Sequence, residues 1–262
     1  MASDLQKWFE LEVSLVKRNK KVQAGIATTK SGQSIFVKRY LFPWFWDRWS
    51  LFLYNDKAKR QFKFSELLNN AGVPAPAPLA VFRDLSSSLP SVFYVSEALC
   101  GYNSLKSTLL QLYEYNSREA NELIAHVADT IARIHTAGIV HGDLKWSNIL
   151  LNPSQRFETW VIDLDNAQHN KFPAKKRYAL DLARVTVDMA FHLPDPKFFA
   201  TFIKRYSDRT EISLSELIQS IIPYFKRRCR KNLERNKSEV TNLSSLAMLV
   251  SEISSKEAAK IK

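Results

Sequence analysis

The most informative run of this chain is His141-Gly-Asp-Leu-Lys-Trp-Ser-Asn148-Ile-Leu-Leu. Twenty residues after Asp143, the chain reaches Asp163 directly behind the apolar pair Val161-Ile162. Phosphoryl transfer to a hydroxyl needs a carboxylate that orients the hydroxyl and takes up its proton, oxygen ligands for magnesium, and a cation beside the moving phosphate. Asp143 and Lys145 are therefore predicted as catalytic residues. Asn148 and Asp163 are predicted as magnesium ligands, because that ion prefers hard oxygen donors.

Asp165 competes with Asp163 for the metal. Asp163 is favoured because it follows the apolar residues directly, whereas Asp165 lies two positions further on. A role for Asp165 in binding metal or substrate stays open.

The composition predicts a folded chain with one large domain or two lobes. The chain has 262 residues, of which 45% are hydrophobic and 24% are charged, and this balance excludes a disordered or fibrous protein. The two cysteines, Cys100 and Cys229, form neither a metal-ligand cluster nor a disulfide framework. The N-terminal residues resemble no signal peptide, and no apolar run approaches the length that spans a bilayer. We therefore expect a cytoplasmic location.

The formal net charge of +12 predicts an anionic partner. Charge alone does not choose among a nucleic acid, an anionic membrane surface and a phosphorylated substrate. The cations gather in residues 17–21, 175–177 and 226–231. Each of these clusters also has a simpler explanation as a solvated face.

The pattern of apolar and turn residues predicts a small N-terminal lobe, residues 1–96, and a larger helical lobe, residues 97–262. In the first lobe we expect a helix over 56–71, because Phe64, Leu67, Leu68 and Ala71 recur at helical spacing before Gly72. Strands are predicted at 22–28, 35–39 and 92–95. In the second lobe an apolar stripe ending at Gly138 and the segments 178–193 and 214–230 predict helices; the stripe comprises Leu123, Ile124, Val127, Ile131 and Ile134.

The chain resembles the eukaryotic-type protein kinases over nearly its whole length, and it is more closely similar to the lipopolysaccharide core kinases of the Kdo/WaaP family. Four segments carry the resemblance: Phe36-Val-Lys-Arg-Tyr40, Ala71-Gly-Val-Pro-Ala-Pro76, the run 141–148, and Ile162-Asp-Leu-Asp165. The resemblance implies an α+β, two-lobed protein-kinase-like fold, with an antiparallel sheet and one helix in the N-terminal lobe. It also implies transfer from ATP, with Mg²⁺, to a heptose or Kdo sugar of the lipopolysaccharide inner core.

The resemblance also implies residues that bind ATP. Lys38 would reach the ATP phosphates and pair with a helix carboxylate. Glu66 is the candidate for that carboxylate because it is the only glutamate between Glu12 and Glu97 and lies on the predicted helix. Glu97 and Leu99 fall where kinases bind adenine through backbone groups. Each residue also has a simpler interpretation. Lys38 could be an exposed lysine on a strand, and Glu66 a surface residue of the helix. Glu97 and Leu99 could lie in an ordinary connection between a strand and a helix.

Two further positions resemble structural residues of kinases. Asp181 resembles the buried helix aspartate that binds the backbone of the catalytic loop. His141 is expected to brace that loop rather than to take part in the chemistry.

Two departures from the kinase pattern bear on the substrate. The loop between the first two strands carries cations, residues 17–21, where most kinases carry glycines. No Ala-Pro-Glu motif follows Asp163, and only about fifteen residues separate Asp165 from Asp181. Because this leaves little platform for a peptide, the sequence favours a sugar or another small acceptor.

The segment 40–54 contains Trp44, Trp46 and Trp49 with only two charged residues. It is either a packed extension of the lobe or a surface that contacts lipid, since amphipathic aromatic side chains favour the boundary between water and lipid. The second interpretation predicts peripheral binding to the anionic inner face of the inner membrane.

Two other functions remain as alternatives. The first is a kinase of another small molecule or of protein. The second is a catalytically silent scaffold that binds a membrane or nucleic acid, which the joint presence of Asp143, Asn148 and Asp163 disfavours. We expect no nucleic-acid partner, because the sequence shows no recognisable nucleic-acid-binding module.

Overall fold

A computed structural model of the chain describes residues 2–42, 57–84, 90–169, 175–193 and 195–236. The fold divides into two compact units. The first unit runs to Tyr102 and also includes Val161–Ala167, while the second comprises Asn103–Trp160 and resumes at Gln168. The sequence placed the boundary after residue 96 and did not assign 161–167 to the first lobe. Most of the aromatic segment 40–54, including its three tryptophans, lies outside the described residues.

The first unit contains a five-stranded antiparallel sheet with the strand order β1-β2-β3-β5-β4. β3 lies at its centre, paired with β2 and β5, and residues from other elements pack on both of its faces. On one face, Ile35 and Val37 pack with Phe9 and Phe93. On the other face, Tyr40 packs with Tyr94 and Ala58. The strands are β1 (Ser14–Arg18), β2 (Val22–Thr28), β3 (Ser34–Leu41), β4 (Pro78–Asp84) and β5 (Ser91–Glu97).

Two helices cover the faces of this sheet. α1 (Ala2–Glu12) brings Phe9 onto the sheet, where its ring meets that of Phe93 edge-on at a centroid distance of 5.7 Å. α2 (Lys57–Asn70) covers the other face, and Gly72 follows it with a positive φ of 70°, as the sequence predicted. The antiparallel sheet and α2 confirm the expected sheet and helix of the N-terminal lobe, but α1 is a second helix where only one was predicted.

Gly25 serves strand packing rather than a flexible loop. A side chain at this position would place its Cβ 2.3 Å from the carbonyl oxygen of Ser14 on β1. The pairing of β1 with β2 shifts register between Leu15 and Lys17, next to this close approach. The cationic turn after β1 is exposed on the surface.

The second unit is built on helices, as predicted. The five residues of the predicted apolar stripe are all fully buried on α4. Asn116 caps the start of α4 by accepting a hydrogen bond from the Glu119 N–H. The helices are α3 (Leu105–Tyr115), α4 (Ser117–Thr136), α5 (Lys175–His192), α6 (Pro196–Thr210) and α7 (Leu214–Asn236).

Short strands fix the loop that follows α4. Gly138 turns the chain with a φ of 73°, and β7 (Ile139–Val140) then pairs antiparallel with β10 (Gln168–His169). β8 (Ile149–Leu151) lies between β6 (Asn103–Ser104) and β9 (Thr159–Val161) in a small sheet. The catalytic loop, residues 141–148, is therefore held by strands at both of its ends.

Candidate active site

Lys38 is the centre of a buried polar cluster in the first unit. Its Nζ lies 2.5 Å from Asp163 Oδ1 and 3.1 Å from Asp165 Oδ2. The Tyr40 hydroxyl lies 3.3 Å from the same oxygen of Asp165 and 3.1 Å from Gln61 Oε1. β3 therefore presents Lys38 to the two carboxylates that the sequence had singled out.

The carboxylates in this cluster favour the protonated form of Lys38. Burial on its own would lower the pKa of Lys38, but the carboxylates of Asp163 and Asp165 outweigh burial and raise it. Burial also raises the pKa of Tyr40, and the two carboxylates add to that effect. We therefore expect Lys38 to be protonated and Tyr40 to be a neutral hydrogen-bond donor near neutral pH.

Glu66 does not pair with Lys38, contrary to the prediction. Its side chain is exposed on α2, whereas Gln61 is buried and places Oε1 3.5 Å from Lys38 Nζ. Five residues along an α-helix correspond to a rotation of about 140° from the starting direction, so Glu66 and Gln61 project from different sides. The ion-pair partners of Lys38 come instead from the segment after β9.

Asp163 and Asp165 differ in exposure. Asp163 adopts a left-handed backbone conformation, with φ 65° and ψ 53°, immediately before a 3₁₀ turn over Leu164–Asn166. Such a conformation is uncommon outside glycine, although aspartate adopts it more readily than most residues, and strained residues cluster at active sites. The Asp163 side chain is 25% exposed, whereas that of Asp165 is 8% exposed beneath Lys38 and Tyr40. This difference favours Asp163 as the candidate metal ligand.

In the hinge, residues 97–101, Glu97 and Leu99 differ in their hydrogen bonds. Glu97 Oε1 accepts a hydrogen bond from the Ala77 N–H, and the Glu97 N–H donates to the Ala77 carbonyl oxygen. Within the residues that the structure describes, the backbone of Leu99 forms no hydrogen bond. Glu97 therefore braces the hinge, while Leu99 keeps a backbone donor and acceptor for an adenine edge. Adenine binding at both residues stays a prediction.

The catalytic loop brings three predicted residues of the second unit together. Lys145 Nζ lies 3.1 Å from Asp143 Oδ2. Asn148 Nδ2 donates to the Asp143 carbonyl oxygen at 2.9 Å, which leaves its Oδ1 as the atom able to ligate a metal. The Asp143 N–H points to His141 Nδ1 at 3.3 Å, as expected for a bracing histidine. A carboxylate, a cation and an amide oxygen thus share one short loop.

One face of α5 anchors the loop from behind. Asp181 accepts hydrogen bonds from the backbone N–H groups of His141, at 2.7 Å, and Gly142, at 3.1 Å. This confirms the structural role predicted for Asp181. Asp188 accepts from the Trp146 N–H at 2.9 Å, and Arg184 lies between the two aspartates in sequence. Arg184 and Asp188 were not predicted from the sequence. They lie three and seven residues after Asp181, so all three side chains share one face of the helix.

His135 supports Asp181 from the core. Its Nδ1 lies 2.7 Å from the Tyr206 hydroxyl, and its Nε2 lies 3.7 Å from Asp181 Oδ2. Burial lowers the pKa of His135, although the charge of Asp181 acts in the opposite direction. His135 is therefore neutral in the folded protein near neutral pH.

This burial predicts a loss of stability in mild acid. Because the folded pKa of His135 lies below the unfolded value of about 6.5, the unfolded chain binds more protons in that window, and the free energy of unfolding falls as the pH drops through it. Urea denaturation at about pH 7.5 and about pH 5.5 measures the difference in the free energy of unfolding between the two pH values. We expect His135→Gln to reduce the difference and the exposed-site variant His169→Gln to preserve it. An undiminished difference in His135→Gln would assign the effect to other groups.

The donor set fits magnesium better than a protein-caged metal. Among the described residues, no group of three or more His, Cys, Asp or Glu side chains is placed to hold a metal ion. Magnesium in phosphoryl-transfer sites relies on one or two protein ligands and completes its shell with phosphate oxygens and water. The Asp163 carboxylate in the first unit and the Asn148 amide oxygen in the second unit are each a type of donor that magnesium prefers. Magnesium binding by these two residues stays a prediction.

The sheet with its buried lysine and the helical unit with its anchored catalytic loop define a protein-kinase-like fold. Residues 13–206 match the lipopolysaccharide kinase (Kdo/WaaP) family. The chain belongs to that family, and this confirms the resemblance seen in the sequence.

Relatives and a solved structure agree with this assignment. A 3-deoxy-D-manno-octulosonic acid kinase of Vibrio vulnificus (strain YJ016) is 28% identical over 46% of this chain and 48% of its own length. Another, of Xylella fastidiosa (strain M12), is 30% identical over 48% of this chain and 47% of its own. The chain thus spans about half the length of these relatives. A structure described as WaaP in complex with acyl carrier protein shares the fold, with a TM-score of 0.65 and 19% identity over 87% of this chain and 92% of that one.

Proposed function

We propose that this chain is a kinase that transfers the γ-phosphoryl group of ATP, with Mg²⁺, to a sugar hydroxyl of the lipopolysaccharide inner core. The anchored catalytic loop carries the proposal, because hydrogen bonds to α5 and within the loop hold Asp143, Lys145 and Asn148 together. Membership of the Kdo/WaaP family supports the acceptor class. Heptose and Kdo both remain candidate acceptors.

Each residue has a defined chemical task in this proposal. Asp143 aligns the acceptor hydroxyl and takes up its proton, and Lys145 offsets negative charge on the transferring group. Lys38 binds the ATP phosphates as a cation. Asp163 and Asn148 supply oxygen ligands for magnesium, which when bound draws charge from the phosphates. The Leu99 backbone binds the adenine edge.

Mass spectrometry tests this function. Purified inner-core lipopolysaccharide is incubated with ATP, magnesium and the protein, and the core oligosaccharide is then weighed and fragmented. We expect a gain of one phosphate group per core, located by fragmentation on a heptose or Kdo residue. Retention of ATP binding without any gain of phosphate on the core would send the search to another acceptor.

We also propose that the protein binds peripherally to the anionic inner face of the inner membrane. None of the described helices combines the length and apolar character needed to cross a bilayer. On the edge strand β1, Leu15 and Val16 are 43% and 67% exposed, and Leu11 near the end of α1 is 81% exposed. The exposed cations of residues 17–21 follow immediately. Exposed apolar side chains beside cations suit a surface that carries anionic headgroups.

Vesicle sedimentation tests this edge. We expect the double variant Leu15→Ser/Val16→Ser to partition about tenfold less onto vesicles that contain anionic phospholipid, since each apolar side chain contributes about 1.5–3 kcal/mol when fully buried and less at an interface. The matched control is Leu79→Ser/Phe82→Ser, on exposed residues of β4 at the opposite edge of the sheet. Equal partitioning of the wild type and the β1 variant would remove this surface from the account.

A further inference from the structure

Arg228 differs from the other cations at the basic end of α7. Its side chain is half-buried, whereas Lys226, Arg227 and Arg230 are exposed. The adjacent Cys229 is 1% exposed. α7 packs against α5, the helix that anchors the catalytic loop. The fold therefore directs Arg228 toward α5, while its neighbours face solvent.

Arg228 has no bonded partner in this environment. In the described part of the chain, it forms neither a hydrogen bond nor a close ion pair, although the charges of Arg184, Asp143 and Asp188 all act on it. Burial, followed by the charge of Arg184, lowers the pKa of Arg228, and the charges of Asp143, Asp188 and Asp181 act in the opposite direction. Since no described residue accepts a hydrogen bond from it, the guanidinium keeps all of its donors for a ligand.

Arg184 is the neighbouring cation, and it links this region to the catalytic carboxylate. Its Nη1 donates to Asp181 Oδ1 at 3.1 Å, and its Nε lies 3.8 Å from Asp143 Oδ1. Within the described residues, this buried Nε has no hydrogen-bond partner. Arg184 thus lies beside Asp143, the charge of Asp143 also acts on Arg228, and both arginines retain hydrogen-bonding capacity.

We propose that Arg228, together with Arg184, binds an anionic group of the acceptor sugar, a carboxylate or a phosphate, and thereby places a nearby hydroxyl at Asp143. This inference rests on the proposed function and narrows the acceptor to sugars that carry negative charge. A guanidinium suits the task because its planar set of donors matches two oxygens of a carboxylate or phosphate. The acceptor is the favoured ligand because Arg184 lies 3.8 Å from Asp143, the residue proposed to orient the acceptor hydroxyl, and α7 packs Arg228 against the helix that carries Arg184.

Binding without ATP tests the subsite directly. Calorimetry compares wild type and Arg228→Gln with four probes: the methyl glycoside of an acidic octulosonic sugar, its carboxyl-reduced analogue, a neutral heptose and a heptose phosphate. We expect Arg228→Gln to weaken binding of at least one anionic probe by about 10- to 100-fold, in keeping with the loss of a hydrogen bond to a charged group. Binding of the neutral probes should be unchanged. A loss of affinity for the acidic sugar would identify the ligand group as a carboxylate, and a loss for the heptose phosphate would identify it as a phosphate.

Two further variants exclude a general effect of charge. Arg227→Gln removes the same charge from an exposed position one residue away, and we expect it to bind every probe like the wild type. Arg228→Lys keeps the charge but loses the planar donors, and we expect intermediate affinity. In steady-state assays, Arg228→Gln should raise the KM for the anionic acceptor and leave the KM for ATP within about twofold.

The outcomes separate this subsite from the proposed function. The subsite would be overturned if wild type and Arg228→Gln bound the anionic probes equally well. It would also be overturned if Arg228→Gln lost as much affinity for the neutral probes as for the anionic ones. The kinase proposal would still stand if the wild type phosphorylates the core. If the wild type binds the anionic probe through Arg228 but transfers no phosphate to any core sugar, the proposed function fails and the subsite stands.

Discussion

Asp143→Asn is expected to reduce the rate of phosphoryl transfer by about 10²–10⁴-fold, the range for loss of a positioned proton acceptor. The asparagine keeps the size of the side chain but loses its negative charge, so it neither takes up the acceptor proton nor pairs with Lys145. The loop itself should persist, because its backbone is held by Asp181 and Asp188 on α5. We therefore expect a variant that folds, binds ATP and transfers phosphate very slowly.

The control for this variant is Asp208→Asn, the same chemical change at an exposed position on α6. Initial rates with saturating ATP and acceptor, together with thermal melts, compare the two proteins with the wild type. Transfer by Asp143→Asn within about tenfold of the wild-type rate would be inconsistent with the role assigned to Asp143.

Asp163→Asn is the second change with a large expected effect. Magnesium contributes several kcal/mol to stabilising phosphoryl transfer, and each 1.4 kcal/mol corresponds to about a tenfold change in rate. Loss of the carboxylate ligand should therefore lower the rate by about 10³-fold and raise the magnesium concentration needed for activity. Lys38 keeps Asp165 as an ion-pair partner, so the fold should survive.

Asp165→Asn provides the comparison, because its carboxylate lies deeper beside Lys38 and Tyr40. Removing this acceptor charge from a buried cluster should destabilise the protein by about 1–3 kcal/mol. Magnesium titrations of activity and urea denaturation separate the two variants. If Asp165→Asn changed the magnesium requirement and Asp163→Asn did not, the metal-ligand assignment would pass to Asp165.

The sequence was most informative where function depends on a short run of residues. The spacing of Asp143, Lys145 and Asn148 predicted their joint placement, because all three lie within one loop of six residues. The apolar stripe of α4 was equally predictable, since helical periodicity identifies a buried face without any tertiary information.

The partner of Lys38 was not predictable in the same way. Choosing a glutamate on the right helix ignored the direction in which each side chain projects, and Gln61 occupies the position that faces Lys38. The carboxylates that pair with Lys38 lie 125 and 127 positions away in sequence, so only the folded chain brings them together.

Arg184 and Arg228 went unnoticed for a related reason. Arg184 lies three residues after Asp181, and its role becomes visible only once Asp181 is seen to hold the catalytic loop. Arg228 lies within a run of similar cations, and sequence alone does not separate the half-buried one from its exposed neighbours. The packing of α7 against α5 makes that distinction.

The most direct test of the central claim follows the terminal phosphate of ATP. Protein, magnesium and ATP labelled only in its γ-phosphate are incubated with purified inner-core lipopolysaccharide, and the core is then separated and hydrolysed to its sugars. We expect label in a sugar phosphate with wild type, about 10²–10⁴-fold less with Asp143→Asn, and none when magnesium is chelated. If label stayed in ATP and free phosphate, with none in any core sugar, the protein would not be a kinase of the core.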